Sequence, residues 1–324
     1  MRLSRLGLLF LIAASVLVGS SCGYYSRIMS RKDLVDGSMA YRERKFAEAE
    51  ELFRKAASRD PQGTTVEGKT AQVFLARTLH SRFIGDRGKT EYAEEAIRQY
   101  QKALTQNPND QSSYKAVASL YENLQKPDDW QKWVTDRSTN TGIDAQYRAE
   151  ALTALASKQN TCASEISDTE ATKKTVKGAD GKEVYQFIKP ADAAQFDKLK
   201  GCVAKGQELI DQAVAAEPDS VKNAASANLK SMTDEQLKQL LDSVKIFESS
   251  RSYRASIAIQ ASRLAEMEGR NPDRDKLKAD ADTFRKAYTE LGEVNRNIQT
   301  EIDARRAAAE AAANANANAN AVKK

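Results

Sequence analysis

The sequence contains few of the residues on which catalysis and metal binding usually depend. His80 is the single histidine among 324 residues, which excludes most metal sites and most catalysis by imidazole. Carboxylates are abundant, but pairs such as Glu94 and Glu95 are interleaved with Lys and Arg, as on a solvated helix face. We therefore predict no catalytic residue, no metal ligand and no cofactor, and we expect the protein not to be an enzyme.

Proline is also scarce, and so is net charge of either sign. The chain has six prolines and is rich in Ala, Glu, Lys, Gln and Leu, which favours helix over sheet. Its formal charge of +5 falls to +3 without Arg2 and Arg5, which lie in a segment expected to be removed. This composition predicts an all-α protein and favours neither nucleic acid nor acidic lipid as a partner.

Long hydrophobic runs are absent except at the N-terminus. The run from Leu6 to Val18 follows two basic residues, as in an export signal, and its 13 residues are too few to cross about 30 Å of hydrocarbon. Residues 19–22, Gly-Ser-Ser-Cys, resemble the lipobox of bacterial lipoproteins, with Gly19 where that motif usually has Leu. The resemblance implies a lipoprotein signal peptide at residues 1–21 and an acylated Cys22. The alternatives are a transmembrane anchor and ordinary signal-peptidase cleavage that leaves a free Cys22 thiol.

The residues after Cys22 are expected to hold the chain at a membrane. Residues 22–32 are predicted to form a short, basic, lipid-anchored tether. In lipoproteins of bacteria with two membranes, which Cys22 resembles, a residue other than Asp after the cysteine implies transport to the outer membrane. Because Gly23 fits this rule, we expect the periplasmic face of the outer membrane, with the inner membrane as the alternative.

The stretch from Gly37 to Pro61 has the pattern of two paired helices. Gly37 is small enough to let helices cross closely, and Tyr41 and Phe46 are bulky residues around a predicted turn. One face of the second helix is apolar at steps of four and three residues, and it carries Ala49, Phe53 and Ala56. Pro61 then ends this helix.

This pattern resembles the tetratricopeptide repeat, a pair of helices with a 34-residue period. A second copy follows 47 residues later, at Ala96, Tyr100, Ala103 and Pro108. The second copy has 13 extra residues. We expect five of them in the linker before its first helix and eight in the turn at 84–91. Ala76 takes the small position of that first helix. A third copy places Ala118 at the same small position and ends in a degenerate helix. The resemblance implies a right-handed superhelical array of antiparallel helix pairs over residues 33–138.

The remaining chain is predicted to be helical, with one insert and one tail. The expected segments are a degenerate fourth repeat at 139–219, an insert at 160–190 that forms a loop or hairpin around an Asp-Gly pair, degenerate helical pairs with a long C-terminal helix at 220–306, and a disordered or frayed Ala/Asn tail at 307–324. A capping box at Thr233–Gln236 starts one helix, Ser252–Glu268 forms another, and a charged helix runs from Pro272 to about Arg306.

Cys162 and Cys202 flank this insert in the portion of the chain expected to be exported. An oxidising compartment favours a disulfide between them, and two buried free thiols are the alternative. Closing a loop of about 40 residues would contribute roughly 3 to 4 kcal/mol in the chain-entropy model.

The stretch from Gly63 to Thr70 matches the phosphate-loop expression G-x-x-x-x-G-K-[ST]. A phosphate loop needs a buried strand before it, whereas the preceding segment has the pattern of an amphipathic helix. We interpret Gly63 and Gly68 as linker residues between repeats, and we predict that no nucleotide binds.

The functional prediction rests on the first helices of the repeats, which line a concave groove in tetratricopeptide arrays. The resemblance implies a groove for a protein or peptide, and its candidate residues are Ser38, Tyr41, Arg42, Arg77, His80, Ser81, Lys115, Ser119, Glu122 and Asn123. For each of them a merely solvated side chain is the alternative. The implied function is a membrane-anchored scaffold for envelope assembly or secretion. The alternatives are a structural spacer of the envelope and a non-catalytic accessory subunit of an envelope enzyme.

The first prediction concerns the lipid. Cys22→Ser removes the acylated atom, so the variant should appear in the soluble periplasmic fraction when cells are fractionated. Retention of the variant in membranes after a high-salt wash would show that the anchor lies elsewhere.

Overall fold

A computed structural model describes residues 24–178 and 181–322, so the predicted signal peptide, Cys22 and Gly23 lie outside the described residues. The described chain is mostly helical, with one two-stranded hairpin. Its elements are α1 (24–42), α2 (Phe46–Ser58), α3 (Val66–Gly85), α4 (Thr90–Gln106), α5 (Gln111–Asn123), α6 (Pro127–Thr139), α7 (Ala145–Ser167), β1 (Lys173–Lys177), β2 (Glu183–Phe187), α8 (Ala193–Ala215), the short α9 (Asp219–Lys222), α10 (Asp234–Met267) and α11 (Asn271–Val322).

The chain divides into two compact units within α6. The first unit ends at Trp130 and the second begins at Gln131. The first contains α1 to α5 and the start of α6, and the second contains the remainder. The three predicted repeats therefore lie in the first unit, except for the end of α6.

A close helix crossing joins α1 and α2. A Cβ atom on Gly37 would lie 2.8 Å from the Phe53 ring, so the crossing has room only for glycine. The apolar face of α2 is fully buried, at Ala49, Phe53 and Ala56. Tyr41 and Phe46 pack edge to face near the turn, with ring centroids 5.4 Å apart. The helix pair predicted here is confirmed.

The second pair, α3 and α4, also has small residues at its crossing. Ala76 and Ala96 are fully buried. The prediction of an eight-residue turn is wrong, because α3 continues to Gly85 and α4 begins at Thr90. Residues 84–91 contain no proline, so half of them extend the two helices and residues 86–89 lie between the helices.

The segment expected to be a tether is helical instead. Residues 24–32 belong to α1, and their basic side chains contact α3. Arg27 and Arg31 each donate from Nε to the Glu67 carboxylate, at 3.0 and 2.5 Å. The Ser30 hydroxyl donates to the Ala56 carbonyl oxygen of α2. Because these contacts reach both neighbouring helices, the start of α1 is part of the first unit.

The second helix of the third repeat, α6, forms despite its degenerate pattern. It lacks the small crossing residue of the other pairs, and its buried apolar side chains are Trp130 and Val134. Asp128 and Asp129 lie in its first turn, where carboxylates interact favourably with the helix dipole.

In the second unit a disulfide joins α7 to α8. It links Cys162 to Cys202, the pair expected from the sequence, with Cα atoms 6.1 Å apart. An apolar cluster surrounds this link and includes Ala163, Ile166, Phe196, Leu199 and Val203. The disulfide and the cluster together hold the two helices that flank the insert.

The insert contains an antiparallel hairpin, so that alternative is confirmed. β1 and β2 pair in register from Lys173 opposite Phe187 to Lys177 opposite Glu183. Gly181 has φ of +80° in the turn, a conformation that favours glycine. The insert is shorter than predicted because α7 continues to Ser167. Of the Asp-Gly pair in the turn, Asp180 lies outside the described residues.

The predicted break between two helices near residue 250 is wrong, since α10 is continuous. The predicted capping box at its start is present, with Thr233 and Gln236 exchanging hydrogen bonds, and Gly269 follows its end with φ of +74°. Ser250, in the serine-rich stretch, is fully buried, and its Oγ lies 2.7 Å from Thr153 Oγ1 of α7. The Ser250 hydroxyl therefore has its hydrogen-bond partners within the packed helices.

The tail predicted to be disordered or frayed is helical as well. α11 continues to Val322, although residues 306–315 are exposed without interruption. Alanine has the highest intrinsic helix propensity, which favours helix in this Ala-rich segment although residues 306–315 bury no side chain. None of the helices in the described ranges combines the length and apolar character that a bilayer crossing requires.

The second prediction compares two glycines of the first unit. Gly37→Ala should destabilise the fold by about 1 to 3 kcal/mol, because the added Cβ meets a buried aromatic ring. Gly85→Ala is the matched control, since a Cβ there meets no atom within 4 Å. Denaturant unfolding should give a lower midpoint for Gly37→Ala only, and equal midpoints would contradict the crossing.

Candidate functional site

The candidate site is the face formed by the first helices of the first unit, called here the first-helix face. It consists of the predicted residues on α1 (Ser38, Tyr41, Arg42), α3 (Arg77, His80, Ser81) and α5 (Lys115, Ser119, Glu122, Asn123). Arg42, Lys115, Ser119 and Glu122 are exposed, and the other six are partly buried. The exposed members are therefore the ones best placed to meet a partner.

Side-chain bonds connect consecutive first helices. The Tyr41 hydroxyl lies 2.9 Å from Ser81 Oγ and so links α1 to α3. Arg77 donates to Ser112 Oγ of α5 at 3.3 Å. Arg87, in the turn after α3, donates to the side-chain oxygen of Asn123. The structure thus brings several predicted residues into one bonded set, in which they also support the helix stack.

Two predicted residues have mainly structural contacts. The His80 ring packs edge to face against Tyr100 of α4, with centroids 6.2 Å apart. Burial lowers the pKa of His80, and the Arg87 charge lowers it further, so the imidazole is neutral at pH 7. The Ser38 hydroxyl donates to the Leu34 carbonyl oxygen of its own helix.

A cavity of about 340 Å³ opens beside Arg77, between α3 and the end of α4. Phe74 lies on its wall, and the Arg77 guanidinium stands 5.5 Å from the Phe74 ring centroid. Lys69 and Asp110 also line it. The repeat alignment places Arg77 on the first-helix face but does not include Lys69, Phe74 or Asp110.

In the stretch that matches a phosphate loop, the backbone binds a carboxylate of the chain itself. The two oxygens of Asp60 accept hydrogen bonds from the backbone N–H and the hydroxyl of Thr64 and of Thr65, at 2.7 to 3.1 Å. Gly68, expected in a linker, lies in the first turn of α3, and a Cβ there would meet Asp60. Two amides of this stretch, those of Thr64 and Thr65, therefore donate to Asp60, and the Gly68 amide donates to Thr65 Oγ1.

Two carboxylates in this region, the partly buried Asp60 and the buried Glu67, have strongly lowered pKa values. Burial alone would raise the pKa of Asp60, but the hydrogen bonds from Thr65 and Thr64 outweigh it and lower the pKa to about 2. Burial likewise opposes the shift at Glu67, where hydrogen bonds from Arg31 and Arg27 lower the pKa to about 2. Both carboxylates are ionised at neutral pH and fix the start of α3.

The third prediction follows from the Asp60 pKa. A carboxyl whose pKa is lowered by folding stabilises the protein fully above its unfolded value, about 4, and loses that contribution as the pH falls towards 2. The free energy of unfolding should therefore decrease between about pH 4 and pH 2. Asp60→Asn should be less stable at pH 7 and show a shallower decrease in urea titrations at each pH. An unchanged slope would contradict the hydrogen-bonded state of the Asp60 carboxylate.

The chemistry available on the first-helix face is hydrogen bonding and charge pairing. Its exposed groups are guanidinium, ammonium, hydroxyl and carboxylate groups, which suit polar side chains and peptide groups of a partner. Within the described residues, no group of three or more His, Cys, Asp or Glu side chains is arranged to hold a metal ion.

No model of a known protein family matches the chain, and no curated protein is significantly similar to it.

Proposed function

We propose that the chain is a lipid-anchored scaffold of the bacterial envelope, which binds a protein or peptide on its first-helix face. The observation that supports this most is the series of side-chain bonds between consecutive first helices. Tyr41 to Ser81 and Arg77 to Ser112 hold one face of α1, α3 and α5 in a fixed arrangement. A fixed surface loses little conformational entropy when it binds a partner.

The helix pairs of the first unit support a tetratricopeptide-like array as the architecture. Gly37 and Ala76 are the small residues of two first helices, and Ala49 and Ala96 are their counterparts on the second helices. In this proposal the array is a right-handed superhelix, and the first-helix face is its concave side. Binding without catalysis agrees with the shortage of histidine in the sequence.

The proposed location follows from Cys22. Acylation of Cys22 after removal of residues 1–21 would place the protein at the periplasmic face of the outer membrane, since Gly23 is not Asp. The Cys162–Cys202 disulfide agrees with export, because such bonds persist in oxidising compartments.

A structural spacer is the second candidate, and α11 favours it. This helix has 52 residues and is therefore about 78 Å long. Residues 306–315 are exposed on all sides. The first part of α11 packs against α10, with Leu291 and Ile298 buried, and its solvated end would act as a spacer without a binding groove.

The fourth prediction tests the scaffold. Lys115→Glu reverses one exposed charge on the first-helix face. Partner proteins that copurify from detergent-solubilised membranes should be lost, because like charges across an interface are strongly unfavourable. The thermal midpoint should stay close to that of the wild type, since exposed substitutions usually change stability little.

The matched control reverses one exposed charge on a second helix, Lys102→Glu of α4. It has the same net charge as the first variant and should keep its partners. Loss of partners in both variants would point to a general charge effect. Retention in both would contradict binding at the first-helix face and favour the spacer.

A further inference from the structure

The first helix, α1, exposes large apolar side chains and buries small or polar ones. Its buried positions are Ser30, Asp33, Gly37 and Ala40, which follow one another at steps of three and four residues. Its exposed large apolar side chains are Tyr25 and four others that share one face. These four are Tyr24, Ile28, Val35 and Met39, with 72, 45, 59 and 48% of their surface accessible. We call these four residues the α1 stripe. An amphipathic surface helix normally has the reverse arrangement.

The α1 stripe is a single narrow face. At 100° per residue, its four side chains fall within about 60° around the helix axis. The buried positions centre on the opposite side, at about 170° from the stripe. The stripe extends over 15 residues from Tyr24 to Met39, or about 22 Å.

The fold prevents α1 from turning this stripe inward. Gly37 is in contact with the Phe53 ring, and a rotated helix would place a larger side chain there. Asp33, on the same buried side, forms an ion pair with Arg59. The stripe is therefore a permanent outer surface of the first unit, and any cover for it has to come from outside that unit.

The position of the stripe in the chain indicates what covers it. Only Gly23 lies between Cys22 and Tyr24, and two residues span at most about 7 Å. This step rests on the proposed function, in which Cys22 carries lipid. Because residues 24–32 are helical and bound to α3 through Glu67, no flexible tether separates the acyl chains from the folded unit. The start of α1 is then held at the bilayer surface.

The residue types on and beside the stripe suit a phospholipid interface. Tyr24 and the adjacent Tyr25, which is 65% exposed, are amphipathic rings of the kind enriched at headgroup level. Lys32, Arg27 and Arg31 flank the stripe, and the last two remain at least half exposed beside Glu67. Long basic side chains reach headgroup phosphates while their stems lie along apolar surface.

We propose that the α1 stripe lies in the interface of the phospholipid bilayer, so that α1 is a membrane-contact helix. The apolar stripe supplies the main attraction, since the whole chain has little net charge. A bilayer contact along α1 would also orient the first unit, because a second attachment next to the lipid restricts its rotation at the surface.

The experiment places a polarity-sensitive fluorophore on the stripe of the full-length protein reconstituted in vesicles of phosphatidylcholine and phosphatidylglycerol. Val35→Cys and Met39→Cys provide exposed labelling sites, while Cys162 and Cys202 remain in their disulfide. Glu51→Cys is the matched control, because it is exposed on α2, which packs against the opposite side of α1. Vesicles with and without lipid-borne doxyl quenchers are compared.

The proposal expects blue-shifted emission at Val35→Cys and Met39→Cys, strong quenching by doxyl lipids, and neither effect at Glu51→Cys. Blue-shifted emission without lipid quenching would overturn it, because a second copy or another protein would then cover the stripe. Water-like emission at the stripe in a protein whose intact mass includes lipid would overturn this inference alone. An intact mass without lipid would refute the anchor at Cys22 and this inference with it.

Discussion

The close approach of paired helices is the constraint on which the first unit depends. Gly37 lets α1 contact the ring of Phe53 at a distance that no Cβ atom would permit. Phe53 also stacks against Phe74 of α3, with centroids 5.3 Å apart, so the same ring links two successive pairs. Because protein interiors are close-packed, a change in the size of either side chain at this crossing affects the packing of each helix in contact with it.

Charged and polar contacts then fix the positions of helices relative to one another where apolar packing alone does not. In the first unit Asp60 and Glu67 hold the start of α3 and bind it to α1. In the second unit Arg251 of α10 forms two hydrogen bonds with the buried Glu217 carboxylate. A buried carboxylate left without its partner would be costly, so these pairs specify one arrangement of the helices.

Local periodicity predicts the pairs, the capping box and the hairpin, because each depends on residues close in the chain. The continuity of α10 through Ser250 could not be predicted in this way, since the buried hydroxyl bonds to Thr153, 97 residues away. The helical start of α1 depends in the same way on Glu67, 36 residues beyond Arg31.

The candidate site was predicted as a set of positions but not as a set of contacts. The alignment placed Tyr41 and Ser81 on one face, whereas only the structure gives the bond between them. His80 was assigned to the same face, and its packing against Tyr100 depends on a neighbouring helix. The periodicity of a helix predicts the direction in which a side chain points. Contacts with the adjacent helix determine whether that side chain is available to a partner.

The proposed function requires the first-helix face to meet a protein partner in the envelope. The most direct measurement is photo-crosslinking in intact cells, with a photoreactive phenylalanine derivative at Ser119 of α5 or, for comparison, at Lys102 of α4. Both positions are exposed, so incorporation should leave the fold intact. We expect a discrete crosslinked protein at Ser119 and none at Lys102. Crosslinks at Lys102 alone, or at neither position, would contradict it.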